Sequence, residues 1–173
     1  MNVLVIDASI AVAIVRREPA RDVIRRLLRK RGCPRVPAFF WLEVINSLAR
    51  RHHYASAEIL EAIRELEELG IETIETDAFG RLIVIDLVER HGLTAYDATY
   101  LALAESAGSQ LLTTDRQLAA AAGARAILVE PHGRLAEPPA PYEVEPTWPT
   151  WRGAAAYLGE LRRRAAEESA ARA

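Results

Sequence analysis

The chain has 173 residues, 22 basic and 24 acidic side chains and a formal net charge of −2; half of its residues are hydrophobic and 27% are charged. That size and balance suit one ordinary globular domain and exclude a low-complexity or fibrous chain. No apolar run nears the roughly 20 residues needed to cross a bilayer, and the run at 3–6 stops at Asp7, too short for a signal-peptide core. A single cysteine, Cys33, leaves no internal disulfide and no cysteine-built metal cage. The expectation is a soluble, cytoplasmic protein.

In chain order, residues 2–6 are apolar and β-branched, which fits a strand buried on both faces of a parallel sheet. Residues 16–31 put Ala20, Val23, Ile24, Leu27 and Leu28 at helical spacing with arginines opposite, and Gly32 and Pro34 end that helix. A short extended segment at 36–38 precedes a helix over 40–51, read with Leu42, Ile45, Leu48 and Ala49 turned inward. A helix at 55–69 ends at Gly70, and 71–76 alternates like a strand. Helices follow at 77–91 and 94–107, ended by Gly92 and Gly108. A strand at 111–113, a helix at 115–122 and a last strand at 126–129 complete the pattern.

Alternating strands and helices predict an α/β fold with a mostly parallel central sheet. The helical excess at 40–69 predicts an α-hairpin inserted into it. Six of the nine prolines fall between Pro131 and Pro149. The expected organisation is therefore a domain over 1–131, a Pro-rich linker over 132–150 and a helical tail over 151–173. Trp148 and Trp151 are expected to pack on the domain or on a second chain. The tail helix, with Arg162, Arg163 and Arg164, has three open roles: covering the site, pairing with a neighbouring chain or holding RNA.

The charges are segregated. Residues 16–35 hold nine basic side chains against Glu18 and Asp22, while 57–79 hold eight acids against Arg64. Two solvated helix faces of opposite sign are one reading. A basic face for a polyanion is the other, with Arg21, Arg25 and Arg29 as the candidate nucleic-acid contacts.

Four acids stand where chemistry is expected. Asp7 directly follows the first strand and Asp115 follows the strand at 111–113, so both lie at strand carboxyl ends, where open parallel sheets bind ligands. Glu43 and Asp97 sit in the first turns of helices that can roof the same crevice. Carboxylates gathered there repel one another unless a cation neutralises them. An oxygen-only donor set suits Mg²⁺ or Mn²⁺, and the chemistry implied is metal-assisted phosphodiester hydrolysis. Each acid alone also has a structural reading. Asp7 and Asp115 can be helix N-caps, Thr94 and Asp97 form a capping-box pattern, and Glu43 suits a helix start. The weight lies in the four together, in this order.

With those residues in place, the chain resembles the PIN-domain ribonucleases, and most closely the toxin subunits of VapBC-type toxin–antitoxin modules. The likeness is carried by Val5-Ile6-Asp7-Ala8-Ser9, by Glu43-Val44-Ile45-Asn46-Ser47-Leu48, by the stretch 92–104 around Thr94-Ala95-Tyr96-Asp97-Ala98, and by Leu111-Leu112-Thr113-Thr114-Asp115. It spans about residues 2–130, and the tail has no counterpart in it. The resemblance implies a three-layer α/β/α fold. It implies a catalytic quartet of Asp7, Glu43, Asp97 and Asp115, with Asp7, Asp97 and Asp115 on the metal. Ser9 and Thr113 then bind the metal's water or brace the acids, and Asn46 orients Glu43. Mg²⁺- or Mn²⁺-dependent endonucleolytic cleavage of RNA, leaving a 5′-phosphate, follows from the same likeness, as do a homodimer and an antitoxin partner.

The competing functions are a housekeeping RNA-processing nuclease with the same site and a silent PIN module that binds RNA or a partner. A phosphatase with a strand-end Asp nucleophile needs a second acid two residues on, where this chain has Ser9. His52 and His53 are read as cations at a helix end, and Tyr96 and Tyr100 as packing residues, with base stacking the alternative for Tyr96. No Gly-rich phosphate loop is present.

Overall fold

A computed structural model describes residues 3–136 and Arg163. The first strand, β1 (Leu4–Ile6), is wholly buried and runs into helix α1 (Ala8–Val15). Every residue of α1 except Ser9 is buried. A helix apolar all round belongs inside the protein, not on its surface. The basic helix α2 (Arg21–Arg31) leads to β2 (Arg35–Pro37), and α3 (Phe40–Asn46) runs into a π-helical turn (Ser47–Arg51). Then come α4 (Ser56–Glu67), β3 (Glu72–Ile74), α5 (Ala78–His91) and α6 (Ala95–Ser106). β4 (Gln110–Thr113), α7 (Arg116–Ala122), β5 (Ala126–Val129) and β6 (Leu135–Ala136) complete the described domain.

The six strands lie in the order β3-β2-β1-β4-β5-β6, all pairs parallel except β5 with β6. Crossovers between parallel strands are right-handed. The chain winds one way from β1 to β3, then returns past β1 to β4 and β5. The helices before β3 therefore lie on one face of the sheet and α5 to α7 on the other. This is the expected three-layer α/β plan, with α3 and α4 as the inserted helical pair. Winding reverses between β1 and β4, where Leu4 pairs with Gln110 and Ile6 with Leu112. One step further, the same register sets Asp7 beside Thr113.

Three readings of the sequence need correction. The helix expected at 16–31 starts only at Arg21, and a separate helix that was not expected, α1, precedes it; between them the chain turns through Arg17 in the left-handed region, with φ 55°. α1 itself shows no polar stripe for a periodicity to find. In α3, Leu42 is 70% exposed and Ile45 38%, while Phe40 and Val44 are buried; Leu48, in the π-helical turn, is buried as expected. The frame carrying the large Phe40 ring won the core over the frame expected. Beyond β5, the sheet continues past Pro131: a turn at Gly133 (φ 79°) brings β6 back antiparallel. The readings of the linker and tail, including Trp148 and Trp151, otherwise lie outside the described residues.

The segregated charges also meet. On α2, Arg21 and Arg25 both bond Glu65 of α4, at 2.7 and 2.8 Å. Arg35 on β2 pairs with Glu72 on β3 at 2.8 Å. Part of the basic face is thus joined to the acidic one.

Candidate active site

The winding reversal leaves a crevice beyond the carboxyl ends of β1 and β4, and all four acids line it, in a cleft of about 690 Å³. Asp7 is the floor. It caps α1, its Oδ1 accepting from the Ile10 N–H at 3.2 Å. The Ser9 hydroxyl also donates to Oδ1, and the Thr113 hydroxyl to Oδ2, each at 2.6 Å. Both hydroxyls are used twice. Ser9 Oγ accepts the Thr114 N–H at 3.0 Å, and Thr113 Oγ1 accepts the Asp115 N–H at 2.8 Å. The end of β4 is thereby tied to the buried carboxyl at the end of β1. With their protons committed to Asp7, Ser9 and Thr113 act here as braces.

Glu43 projects from the first turn of α3, and its Oε2 accepts from the buried Tyr100 hydroxyl at 2.7 Å. Burial, then the charge of Glu43, pushes ionisation of Tyr100 far upward, so this hydroxyl remains a donor. Asn46, expected to orient Glu43, makes no side-chain hydrogen bond among the described residues; Tyr100 holds Glu43 instead. Asp97 sits in the first turn of α6, where the N-cap Thr94 donates to its Oδ2 at 2.7 Å and accepts its N–H at 3.1 Å. Asp115 caps α7 through the Leu118 N–H at 2.8 Å. The capping readings and the site readings are therefore compatible at three of the four acids.

The acids burden one another. Asp7 is pushed up to about 7, by burial first and by Glu43 last, against the pull of its hydroxyl donors. Glu43 is raised by burial and by Asp97, and Asp97 by burial and by Asp115. A crevice that disfavours its own charge in this way fits a divalent cation: the donors are all oxygen, and a positive ion relieves the repulsion. Among the described residues, no three His, Cys, Asp or Glu side chains form a ready-made ligand set. Mg²⁺ does not require one, because it keeps several waters and takes one or two carboxylates.

The rest of the cleft wall was not apparent from periodicity. Arg16, Arg51 and His52 line it, as do the exposed Leu42 and Tyr96. Tyr96 is 62% exposed, with its ring edge-on to Phe39 at 5.1 Å between centroids. It is thus a rim residue and not a core one. Tyr100, three residues after Asp97 on α6, could have been linked to the site by that spacing. Arg21, Arg25 and Arg29 lie outside the cleft, along a separate groove on α2.

Comparison with known proteins agrees with this geometry. The PIN domain profile matches residues 4–124. Ribonuclease VapC3 of Mycobacterium tuberculosis is 33% identical over 118 residues, which cover 68% of this chain and 86% of that protein. The crystal structure of PAE2754 from Pyrobaculum aerophilum superposes with a TM-score of 0.57 at 25% identity, covering 74% of this chain and 91% of that one. A chain of a toxin–antitoxin complex from Klebsiella pneumoniae shares the fold at a TM-score of 0.50 and 18% identity, covering 65% of this chain and 86% of its own. The chain belongs to the PIN-domain family and, within it, to the VapC-type ribonucleases.

Proposed function

We propose that this protein is a divalent-cation-dependent endoribonuclease acting as the toxin of a type II toxin–antitoxin pair. The observation that carries the reading is the meeting of Asp7, Glu43, Asp97 and Asp115 in one cleft at the winding reversal of the sheet. Asp7, Asp97 and Asp115 are the residues that would hold Mg²⁺ or Mn²⁺. Bound there, the ion supplies charge stabilisation at the phosphate and acidifies the attacking water.

The chain's own groups do the rest. Ser9 and Thr113 fix both oxygens of Asp7 and favour its charged form. Tyr100 fixes one oxygen of Glu43 and leaves Oε1 without a hydrogen-bond partner among the described residues. With its affinity for a proton raised by burial, Glu43 is the group suited to take the proton of the water that attacks phosphorus. Breaking the P–O3′ bond then leaves a 5′-phosphate.

An antitoxin partner, a homodimer and a cytoplasmic setting complete this reading. No helix among the described residues is long and apolar enough to cross a membrane. Asp97→Asn is expected to abolish cation-dependent RNA cleavage with the fold retained, and excess EDTA to silence the wild type. Cleavage that survives either treatment rejects the assignment. Growth arrest on expression, relieved by Asp97→Asn, separates a toxin from a housekeeping nuclease.

A further inference from the structure

Beside its acids, the cleft carries three basic side chains that the chemistry above does not use: Arg16, Arg51 and His52. They come from two helix exits built alike. α1 leaves through Arg17 and the π-helical turn leaves through His53, and both have φ 55°. These are the non-glycine residues with positive φ among the described residues. Such a backbone is uncommon and persists where its surroundings fix it, often at functional sites. In each exit the basic residue just before the left-handed one lies on the cleft wall: Arg16 before Arg17, His52 before His53.

The π-helical turn has a second effect. The His52 N–H reaches back five residues to the Ser47 carbonyl at 3.3 Å, and the Tyr54 N–H to Leu48 at 3.0 Å. The extra residue in that turn changes the direction in which Arg51 and His52 leave the helix. π-turns recur at functional sites for this reason.

The Arg51 charge is not spent on an ion pair among the described residues. Arg21 and Arg25 are consumed by Glu65. Arg51, in contrast, is exposed, makes no ion pair within 4 Å among the described residues and is felt by Glu43 only through space. Arg16 is steadied by Glu18 at 2.8 Å, and Glu18 lies on the same wall. Acids and an unpaired guanidinium side by side in one cleft suit a ligand with repeating anions. One phosphate can sit over the acids and their cation while another needs direct positive partners.

We propose that Arg51, flanked by Arg16 and His52, grips a non-scissile phosphate of the RNA strand and thereby fixes which bond lies over the acids. The inference rests on the ribonuclease reading and adds the wall that registers the strand. Arg51 is the principal contact, since its fork is unpaired and suits phosphate oxygens.

The test uses the full chain and a single-stranded RNA, with two readouts. The first is the kcat and KM of cleavage by R51Q, R16Q and R125Q. The second is the salt dependence of RNA binding to D7N and to D7N/R51Q, which needs no cleavage. R51Q is expected to raise KM about tenfold, as for a lost charge-assisted contact. R16Q is expected to do less, because Glu18 already holds that guanidinium. The slope of log K against log salt should fall by about 0.7 for each lost phosphate contact. R51K should recover part of the loss, and R125Q, which removes a charge outside the cleft, should match the wild type. An unchanged KM and salt slope in R51Q overturn the proposal. So does a variant that moves only the pH profile of kcat, since Arg51 would then act by tuning Glu43. If the wild type fails to cut RNA, the ribonuclease reading falls, and the binding readout still decides whether the wall holds phosphate.

Discussion

The α2–α4 pair and the acid cleft use the same side chains, arginines and carboxylates, yet treat them differently. Between the helices, Glu65 sits between Arg21 and Arg25, and each of these three charges has a counter-charge within 3 Å. In the cleft, Asp7 is buried with only hydroxyls and an amide for company, Glu43 answers to a tyrosine, and Arg51 makes no ion pair among the described residues. Paired charge stabilises a fold modestly and asks for nothing further. Charge kept buried and unpaired raises the free energy of the empty site and leaves it ready for a cation or phosphate. The difference locates function better than the number of charges does, since the helices carry more of them.

The largest test of that contrast is Asp7→Asn. Cation-dependent RNA cleavage is expected to fall by at least ~10²-fold, the scale of losing a preorganised electrostatic group. At pH 8 the same variant should melt a few degrees higher, because a buried charge has gone; a lower Tm would show that Asp7 is a structural cap first.

Next comes Tyr100→Phe, which removes the donor to Glu43 and leaves the ring. Activity should drop by ~10–100-fold, the usual cost of losing a residue that orients a reacting group. Activity equal to wild type would return the orienting role to another residue.

A third test reads stability against pH. The folded pKa of Asp7, about 7, lies above its ordinary value of 3.8. Between those values the native state binds a proton that the unfolded chain has released. Stability therefore falls as pH rises from about 4 to about 7, by up to roughly 4 kcal/mol for this group. Added Mg²⁺ should restore part of it at pH 7.5, by ~2.7 kcal/mol when present at 100 times its Kd, and much less at pH 5. Thermal melts with and without the ion measure this, and a Mg²⁺ effect that is the same at both pH values would remove Asp7 from the metal's neighbours.

The smallest effect belongs to the paired region. Glu65→Ala strands two half-buried arginines and should cost about 1 kcal/mol of stability. Turnover should stay at the wild-type value; a matching loss of activity would erase the distinction drawn between the two regions.

The positions of the acids were legible in the sequence because each one ends a strand or starts a helix, and such places are marked by short patterns. Asp7 after an apolar run and Thr94-Ala95-Tyr96-Asp97 before an Ala-rich helix are examples. What surrounds the acids was less legible. α1 has no polar stripe, so its period was invisible, and its end at Arg16 depends on a left-handed Arg17 that no local preference favours. The π-helical turn is one residue too many for a periodicity argument, so Arg51 and His52 read as a helix end and not as a cleft wall. In α3 two apolar frames compete, and only packing against the rest of the core chooses Phe40 and Val44 over Leu42 and Ile45. Local patterns fixed where the chemistry sits, while tertiary packing decided which neighbours it has.

One further consequence follows from the doubly used hydroxyls. Ser9 and Thr113 join the first strand's Asp7 to the amides of Thr114 and Asp115 across the two central strands. Whatever immobilises that carboxyl also tightens the seam between the two halves of the sheet. Deuterium uptake at those two amides should therefore slow when the crevice is filled, so that occupancy can be followed by mass spectrometry without any cleavage taking place.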